Sequence, residues 1–259
     1  MVTLAVIFPP TQPPERIGAV AAAAESAGLE QLWVWEDCFK ESGIATATAM
    51  LATTSRITVG IGLLPVPLRN VALTAMEIAT LARLFPGRLT PGIGHGVLDW
   101  MGQAGARVES PMTLLREYTT ALYALLHGET VTTRGRYVNL DAVALDWPPT
   151  VPPPLLVGGI RPRTLSLAGE LADGVIIPGG VSPEEVRTSV DHLNAGRDPA
   201  DVVVFISAPA VGPAAAVAAT VSEYAAAGAT HVAVNAAEDD ADLERFAGFL
   251  AREVRPLVR

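Results

Sequence analysis

Eight times along the chain, a short run of β-branched and large apolar residues is followed by a longer stretch with helical spacing. TLAVIF (3–8) precedes a segment opening at Pro13-Pro14, where Ile17, Val20, Ala21 and Ala24 share a face and Gly28 stands as the terminating glycine. LWVWE (32–36) precedes a helix near 43–54, and ITVGIG (57–62) precedes one over 71–84 that stops at Pro86-Gly87. RLTPGIG (88–94) is followed, after a gap, by Ser110-Pro111, which reads as a cap and a first-turn proline, and by an apolar stripe from Leu114 to Leu126. LLVGG (155–159) precedes 162–172, and GVIIPGG (174–180) precedes a helix opened by the capping box Ser182-Pro183-Glu184-Glu185. VVVFIS (202–207) and THVAVN (230–235) precede helices at 213–227 and 241–254. Strands that read as continuous apolar runs are covered on both faces, and alternation with helices implies parallel pairing. Eight such units in 259 residues predict an α/β chain folded as a (β/α)8 TIM barrel, with a doubly wound open sheet as the alternative.

The one interruption lies between the fourth helix and the fifth strand. Residues 129–153 carry TTRGRYV, which alternates about Gly135 like a small hairpin, and then an extended proline run. This predicts an excursion from the barrel inside one domain spanning 1–259.

Charge and cysteine content narrow the partners. Eighteen basic against 27 acidic side chains leave a net charge of −9, so no basic surface for nucleic acid is expected. Seventeen of the cations are arginine; Lys40 is the single lysine and Cys38 the single cysteine. An internal disulfide is therefore impossible, which fits a reducing, cytoplasmic setting. The N-terminal MVTLAVIFPP has no basic residues ahead of its apolar run, unlike a signal peptide. Residues 202–221 are uncharged over 20 positions, but Pro209, Gly212 and Pro213 divide them into a strand and a helix. No membrane association is expected.

In barrels of this type the site lies at the carboxyl ends of the strands. That rule selects Glu36, Asp37 and Cys38, the segment 62–69, residues 94–100, 158–163 and 178–180. VGGIRPRT (157–164) brings two glycines and a helix start beside Arg161 and Arg163. This is an arrangement that can hold a phosphate, or else a glycine-rich turn with two solvated arginines. GRLTPGIGHG (87–96) places Gly92, Gly94 and Gly96 on one face of a strand, leaving room for a flat ring or for close packing at a barrel corner. His95 among them reads as a ligand contact, a proton donor or a histidine bonded to a nearby carbonyl. His95, His127, His192 and His231 are scattered without metal-ligand spacing, Lys40 lies in a polar loop, and G-x-S-x-G is absent. Metal-dependent hydrolysis, Schiff-base chemistry and a serine hydrolase are all poorly supported.

Four segments then converge. LWVWEDCF (32–39), GIGLLPVPLRN (60–70), ARLFPGRLTPGIGHG (82–96) and PPLLVGGIRPRTLSLAGELADGVII (153–177) resemble, in order and spacing, the bacterial luciferase-like superfamily of flavin- and deazaflavin-dependent oxidoreductases. The resemblance implies a tricyclic ring at the strand ends, its phosphate met by Gly158, Gly159 and the next helix. It also implies a non-prolyl cis peptide at Gly62–Leu63 behind the ring. The cofactor-binding residues it points to are Asp37, Gly62, Leu63, Gly94, His95, Gly96, Gly158, Gly159, Ile160, Arg161, Pro178 and Gly179. His95, Asp37 and Cys38 are the candidates for chemistry. Two positions depart from the pattern: Cys38 stands where the family often has a catalytic histidine, and Val97 where some sugar-phosphate dehydrogenases carry an acid.

The resemblance implies coenzyme F420 and hydride transfer with a small organic substrate. FMN-dependent monooxygenation fed by a separate reductase is the alternative, and a non-catalytic flavin-binding relative is a third reading. A homodimer is expected because the family usually forms one. Trp35, Trp100, Met101 and the excursion are candidates for an apolar pocket or for ordinary packing.

Overall fold

The computed structural model describes residues 2–193 and 201–258. The barrel strands are β1 (Thr3–Ile7), β2 (Gln31–Val34), β3 (Thr58–Pro65) and β4 (Leu89–Gly94). After a hairpin of β5 (Val131–Arg134) and β6 (Asn139–Val143) come β7 (Leu156–Gly158), β8 (Gly174–Ile177), β9 (Asp201–Ala208) and β10 (His231–Ala236). These eight barrel strands are parallel and close in the order β1-β10-β9-β8-β7-β4-β3-β2. Closure settles the choice between barrel and open sheet.

Helices follow each strand as the periodicity predicts. They include α1 (Ile17–Ala27), α2 (Gly43–Thr53), α3 (Val71–Leu84), α5 (Pro111–Leu126) and α6 (Pro162–Leu171). The remaining long ones are α7 (Pro183–Leu193) and α8 (Ala214–Ala226). The apolar faces of α1 and α5 are buried at the residues the spacing selects. Gly28 closes α1 at φ 88°, and the Ser182–Glu185 capping box forms as expected, Glu185 N donating to Ser182 Oγ and Ser182 N to the Glu185 carboxylate.

Three local expectations are corrected. Ser110 does not cap α5, because its hydroxyl bonds the Thr113 hydroxyl at 2.7 Å instead. A short helix, α4 (Leu98–Gln103), fills the gap before Ser110. The last segment is regular only over α9 (Leu243–Phe249), which continues as a wider π turn. The uncharged run 202–221 is indeed a strand and a helix, and no described helix is long and apolar enough to cross a membrane.

The excursion is an antiparallel hairpin docked on α5, with Val138 and Leu140 in the shared core and Ser110 N donating to Tyr137 Oη at 2.9 Å. Glu117 accepts the backbone N–H groups of Arg136, Tyr137 and Val138 at 2.8–3.0 Å. The proline run is held by Arg83, which donates to the Pro148 carbonyl and lies over the Trp147 ring.

Most of the core lies between the strands and the helices. A second, smaller cluster fills the barrel itself: Ala5, Ile7, Trp33, Leu156, Ile176, Val203, Phe205 and Ala233. Its large members fit because glycines stand opposite them. A Cβ on Gly60 would fall 2.4 Å from the Trp33 ring, and one on Gly92 would fall 2.3 Å from Ile176 Cδ1. Gly62 faces Phe205 in the same way, at 2.7 Å. The Trp33 and Phe205 rings then meet edge to face across the axis, 5.6 Å between centroids.

Gly174 shows how little slack this leaves. An added Cβ would sit 2.2 Å from the carbonyl oxygen of Asp201 on the neighbouring strand, where no side-chain rotation gives relief. Gly174→Ala is expected to lower stability by about 1–3 kcal/mol in urea unfolding. By contrast, Gly18→Ala in α1, with nothing nearer than 3.6 Å, should raise it by about 0.5–1 kcal/mol. An unchanged midpoint for Gly174→Ala would contradict this packing.

Candidate active site

Parallel strands in a closed barrel deliver all their carboxyl ends to one mouth. There, a cavity of about 320 Å³ opens. Its floor is made by β3, whose pairing with β4 slips between Ile61 and Leu64. Such an irregularity redirects a side chain. Leu63 turns into the barrel, lying where a Cβ on Gly94 or Gly158 would come within 2.5 and 2.2 Å of its Cδ2. The Gly62–Leu63 peptide is cis, as the resemblance implies, and Cys38–Phe39 is cis as well. The glycines of GIGHG therefore answer a packing need first: Gly92 admits Ile176, Gly94 admits Leu63, and Gly96, at φ 70°, faces Pro65 and Met101.

Of the residues selected from sequence, Asp37, Gly62, Leu63, His95, Gly96, Gly158, Gly159, Ile160 and Pro178 line this cavity. Gly94, Arg161 and Gly179 do not line it, and neither does Cys38. Cys38 instead lines a neighbouring groove with Phe39, Arg69 and Glu77. Burial and the adjacent carboxylates of Glu36 and Asp37 push its thiol above the ordinary range, partly offset by Arg69, so it stays protonated. Trp35 and Trp100 do line the cavity, and Met101 is buried beneath Gly96.

Sequence reasoning missed Phe205 and Ile176. Both sit in continuous apolar strands, where no alternation reveals which residues point inward. It also missed the ion pair behind the floor. Glu36 Oε2 accepts from Arg69 Nη2 at 2.7 Å and from the Gly43 N–H at 2.8 Å, while Oε1 accepts from Arg69 Nη1. Glu77 adds a second carboxylate 3.4 Å from Arg69 Nε. Partners 33 residues apart give no local spacing signal.

The wall opposite Asp37 is the start of α6. Gly159 donates its N–H to the Ile176 carbonyl at 3.0 Å, so that donor is already committed. Among the described residues the N–H groups of Ile160, Arg161 and Arg163 have no protein acceptor, and no side chain caps α6. Three open donors, a helix dipole and two exposed arginines make an anion cradle displaced one residue beyond Gly158-Gly159.

His95 stands against the α6 wall. Its Nε2 lies 3.4 Å from Thr164 Oγ1 in the first turn of α6, while the Thr164 hydroxyl is placed to donate to Met112 Sδ. Burial, and then repulsion from Arg161, hold its pKa below the usual 6.5 against an opposing Pro111 carbonyl. The ring is neutral at neutral pH. Among the described residues no group of His, Cys, Asp or Glu has the arrangement of a metal site.

Residues 2–254 match the family described as luciferase-like monooxygenase. The chain belongs to that family. Among luciferase-like relatives, the chain is 30% identical over 207 residues to a 5,10-methylenetetrahydromethanopterin reductase of Methanolobus tindarius. That match takes in 78% of this chain and 63% of the relative. The chain thus spans less than two thirds of the length of the curated relatives it matches. An F420-dependent secondary alcohol dehydrogenase, solved with an F420-acetone adduct, superposes with a TM-score of 0.88 at 18% identity, covering 100% of this chain and 99% of that one. A type II Baeyer-Villiger monooxygenase from the CAM plasmid of Pseudomonas putida, solved with FMN, superposes at 0.83 with 16% identity over the same shares. At these identities the likeness establishes the barrel fold.

Because the native state holds His95 neutral, its contribution to stability is complete above pH 6.5. It is lost as pH falls through the lower folded-state pKa. In imidazole NMR titrations His95 should titrate below 6.5, and His95→Asn should remove its share of the acid-side loss of stability. A midpoint at or above 6.5 would contradict its burial beside Arg161.

Proposed function

We propose that this luciferase-like barrel is an oxidoreductase that binds coenzyme F420 at the mouth and transfers hydride to or from a small organic substrate. The observation that carries this reading is the shape and polarity of one cavity. Its floor and sides are largely apolar, from Leu63, Trp35, Ile176 and Phe205, and it runs out against the open N–H groups of α6.

Those features fit a flat ring with an anionic tail. Gly62 and Leu63 would support the ring, Gly96 and Gly158 bring backbone close to it, and Ile160, Arg161 and Arg163 would hold the phosphate. When bound, the deazaflavin supplies the hydride-carrying carbon. The chain supplies the rest. The apolar lining keeps water from the reacting face, Asp37 and neutral His95 offer a hydrogen-bond acceptor and donor at opposite walls, and the fixed floor sets the approach. Cys38, outside the cavity and protonated, takes no direct part.

The reading extends to a single working domain in the cytoplasm assembled as a homodimer. Exposed Leu73, Met76 and Leu84 along one side of α3, with exposed Phe39 nearby in the same groove as Leu73, supply an apolar face for self-association. A separate reductase belongs only to the FMN alternative.

Parallel titrations of F420 and FMN against the purified protein test the proposal. F420 is expected to bind at least about tenfold more tightly, without flavin-dependent oxygen uptake. Arg161→Ala with Arg163→Ala should weaken it several-fold and flatten its salt dependence. Gly159→Ala, whose Cβ would fall 2.5 Å from Thr164 Cγ2, should also weaken it. Preferential FMN binding with oxygen uptake would install the monooxygenase reading, and binding without turnover of any substrate would leave a non-catalytic relative.

A further inference from the structure

Large apolar side chains gather where the mouth cavity opens. Val97 and Ile160 are each 48% exposed, and both line the cavity together with Trp100. Leu98, beside Val97, is 47% exposed. Val97 and Trp100 stand one turn apart at the start of α4, so they share a face. That helix is pinned by a different residue. Met101 is buried against Gly96, and its N–H donates to the Val97 carbonyl at 3.0 Å. Ile160 comes from the next strand around the ring, between the end of β7 and the start of α6.

The charges nearest to these residues in sequence, Asp99 and Arg161, do not line the cavity. Of the ionisable side chains that do, Glu36 and Asp37 follow β2, and His95 is held neutral by burial and by Arg161. An isolated exposed apolar residue is ordinary, whereas several at the entrance of one cavity mark a surface that a ligand covers. The reading above assigns Leu63 to the coenzyme ring and the open α6 donors to its tail. It leaves the side chains of Val97, Trp100 and Ile160 without a role.

We infer that this rim binds the apolar body of the substrate, so that the protein takes uncharged molecules bearing an alkyl or aryl group and discriminates among them by apolar size. Val97, Trp100 and Ile160 are the specificity-determining residues, acting through their side chains; the Ile160 N–H keeps its separate place in the anion cradle. The polar end of such a molecule points inward, and its apolar end covers the rim. The inference rests on the proposed function for calling the occupant a substrate. The apolar rim itself does not depend on which coenzyme binds.

The 1-alkanols from butanol to octanol test it, titrated by calorimetry against the coenzyme-free protein and against protein saturated with F420. Affinity is expected to rise about threefold with each added methylene, and F420 should leave that rise in place. Val97→Ser puts a good capping residue at the N-cap of α4, and Ile160→Ser keeps the backbone N–H, so both variants should fold. Each should weaken octanol by about threefold or more while changing butanol, too short to reach the rim, by less than about twofold. If F420 does not bind, the proposed function falls, and the alkanol series in the coenzyme-free protein still reads the rim. An affinity flat with chain length, or losses for butanol and octanol that are equal in both variants, would overturn the inference. So would a change in oligomeric state of Val97→Ser with octanol binding intact, which assigns the rim to a second copy of the chain.

Discussion

The side chain of Leu63 fills the volume that Gly94 and Gly158 leave empty, and the mouth of the barrel is organised around that contact. Three strands are involved at once. β3 supplies the leucine through its slipped register, β4 and β7 supply the bare backbone, and a Cβ on either glycine would fall within 2.5 Å of Leu63 Cδ2. One layer deeper, Gly62 and Gly92 receive Phe205 and Ile176 by the same logic. Interiors packed this closely transmit change, because neither partner can alter volume without moving the other. The floor of the cavity is thus a consequence of core packing, and its position is as rigid as the barrel.

Much of this was legible in the sequence. Eight apolar runs alternating with helical stretches predict the closed parallel barrel, and TTRGRYV predicts the hairpin. Gly28 and the Ser182–Glu185 box mark helix ends where they occur. The purpose of the alternating glycines was half legible. The pattern says that one strand face is bare, but not whether a ligand or a neighbour fills it. The answer depends on Leu63, whose inward turn comes from a register slip that no periodicity encodes. Ser110 reads as a cap because serine before proline satisfies helix-start chemistry. Its hydroxyl finds the Thr113 side chain instead. Cys38 stands next to Asp37 in sequence, yet Asp37 lines both the cavity and the neighbouring groove, whereas Cys38 lines the groove alone.

The ion pair of Glu36 and Arg69 ties the exit of β2 to the loop after β3, and both side chains are largely buried. Burying charges carries a desolvation penalty that their mutual attraction offsets only with good geometry, and the two-pronged contact plus the Gly43 N–H supplies it. The backbone of Glu36 also donates to the Leu63 carbonyl at 3.4 Å, a long contact that nonetheless places the pair directly behind the floor. Glu77 completes the cluster as a carboxyl whose pKa burial raises, with Arg69 opposing and Glu36 reinforcing the rise. The cluster holds the loop and keeps Arg69 from offering a free positive charge to the cavity.

The polarity of the mouth follows from how the helix starts around it are finished. In a parallel barrel every strand is followed by a helix whose N-terminal N–H groups point towards the same end. At α2 these donors are satisfied by carboxylate and hydroxyl, Glu36 on Gly43 and Ser42 on Ala45. At α3 the Asn70 side chain does the same for Ala72. At α6 the position is held by Arg161 and the next by Pro162, neither of which can accept a hydrogen bond from the first turn through its side chain. Capping α2 with a carboxylate and a hydroxyl and α3 with an amide, while leaving the donors of α6 open beside arginines, gives the mouth a direction. Of these three helix starts, α6 is the one whose first-turn donors and dipole are left open to an anionic group.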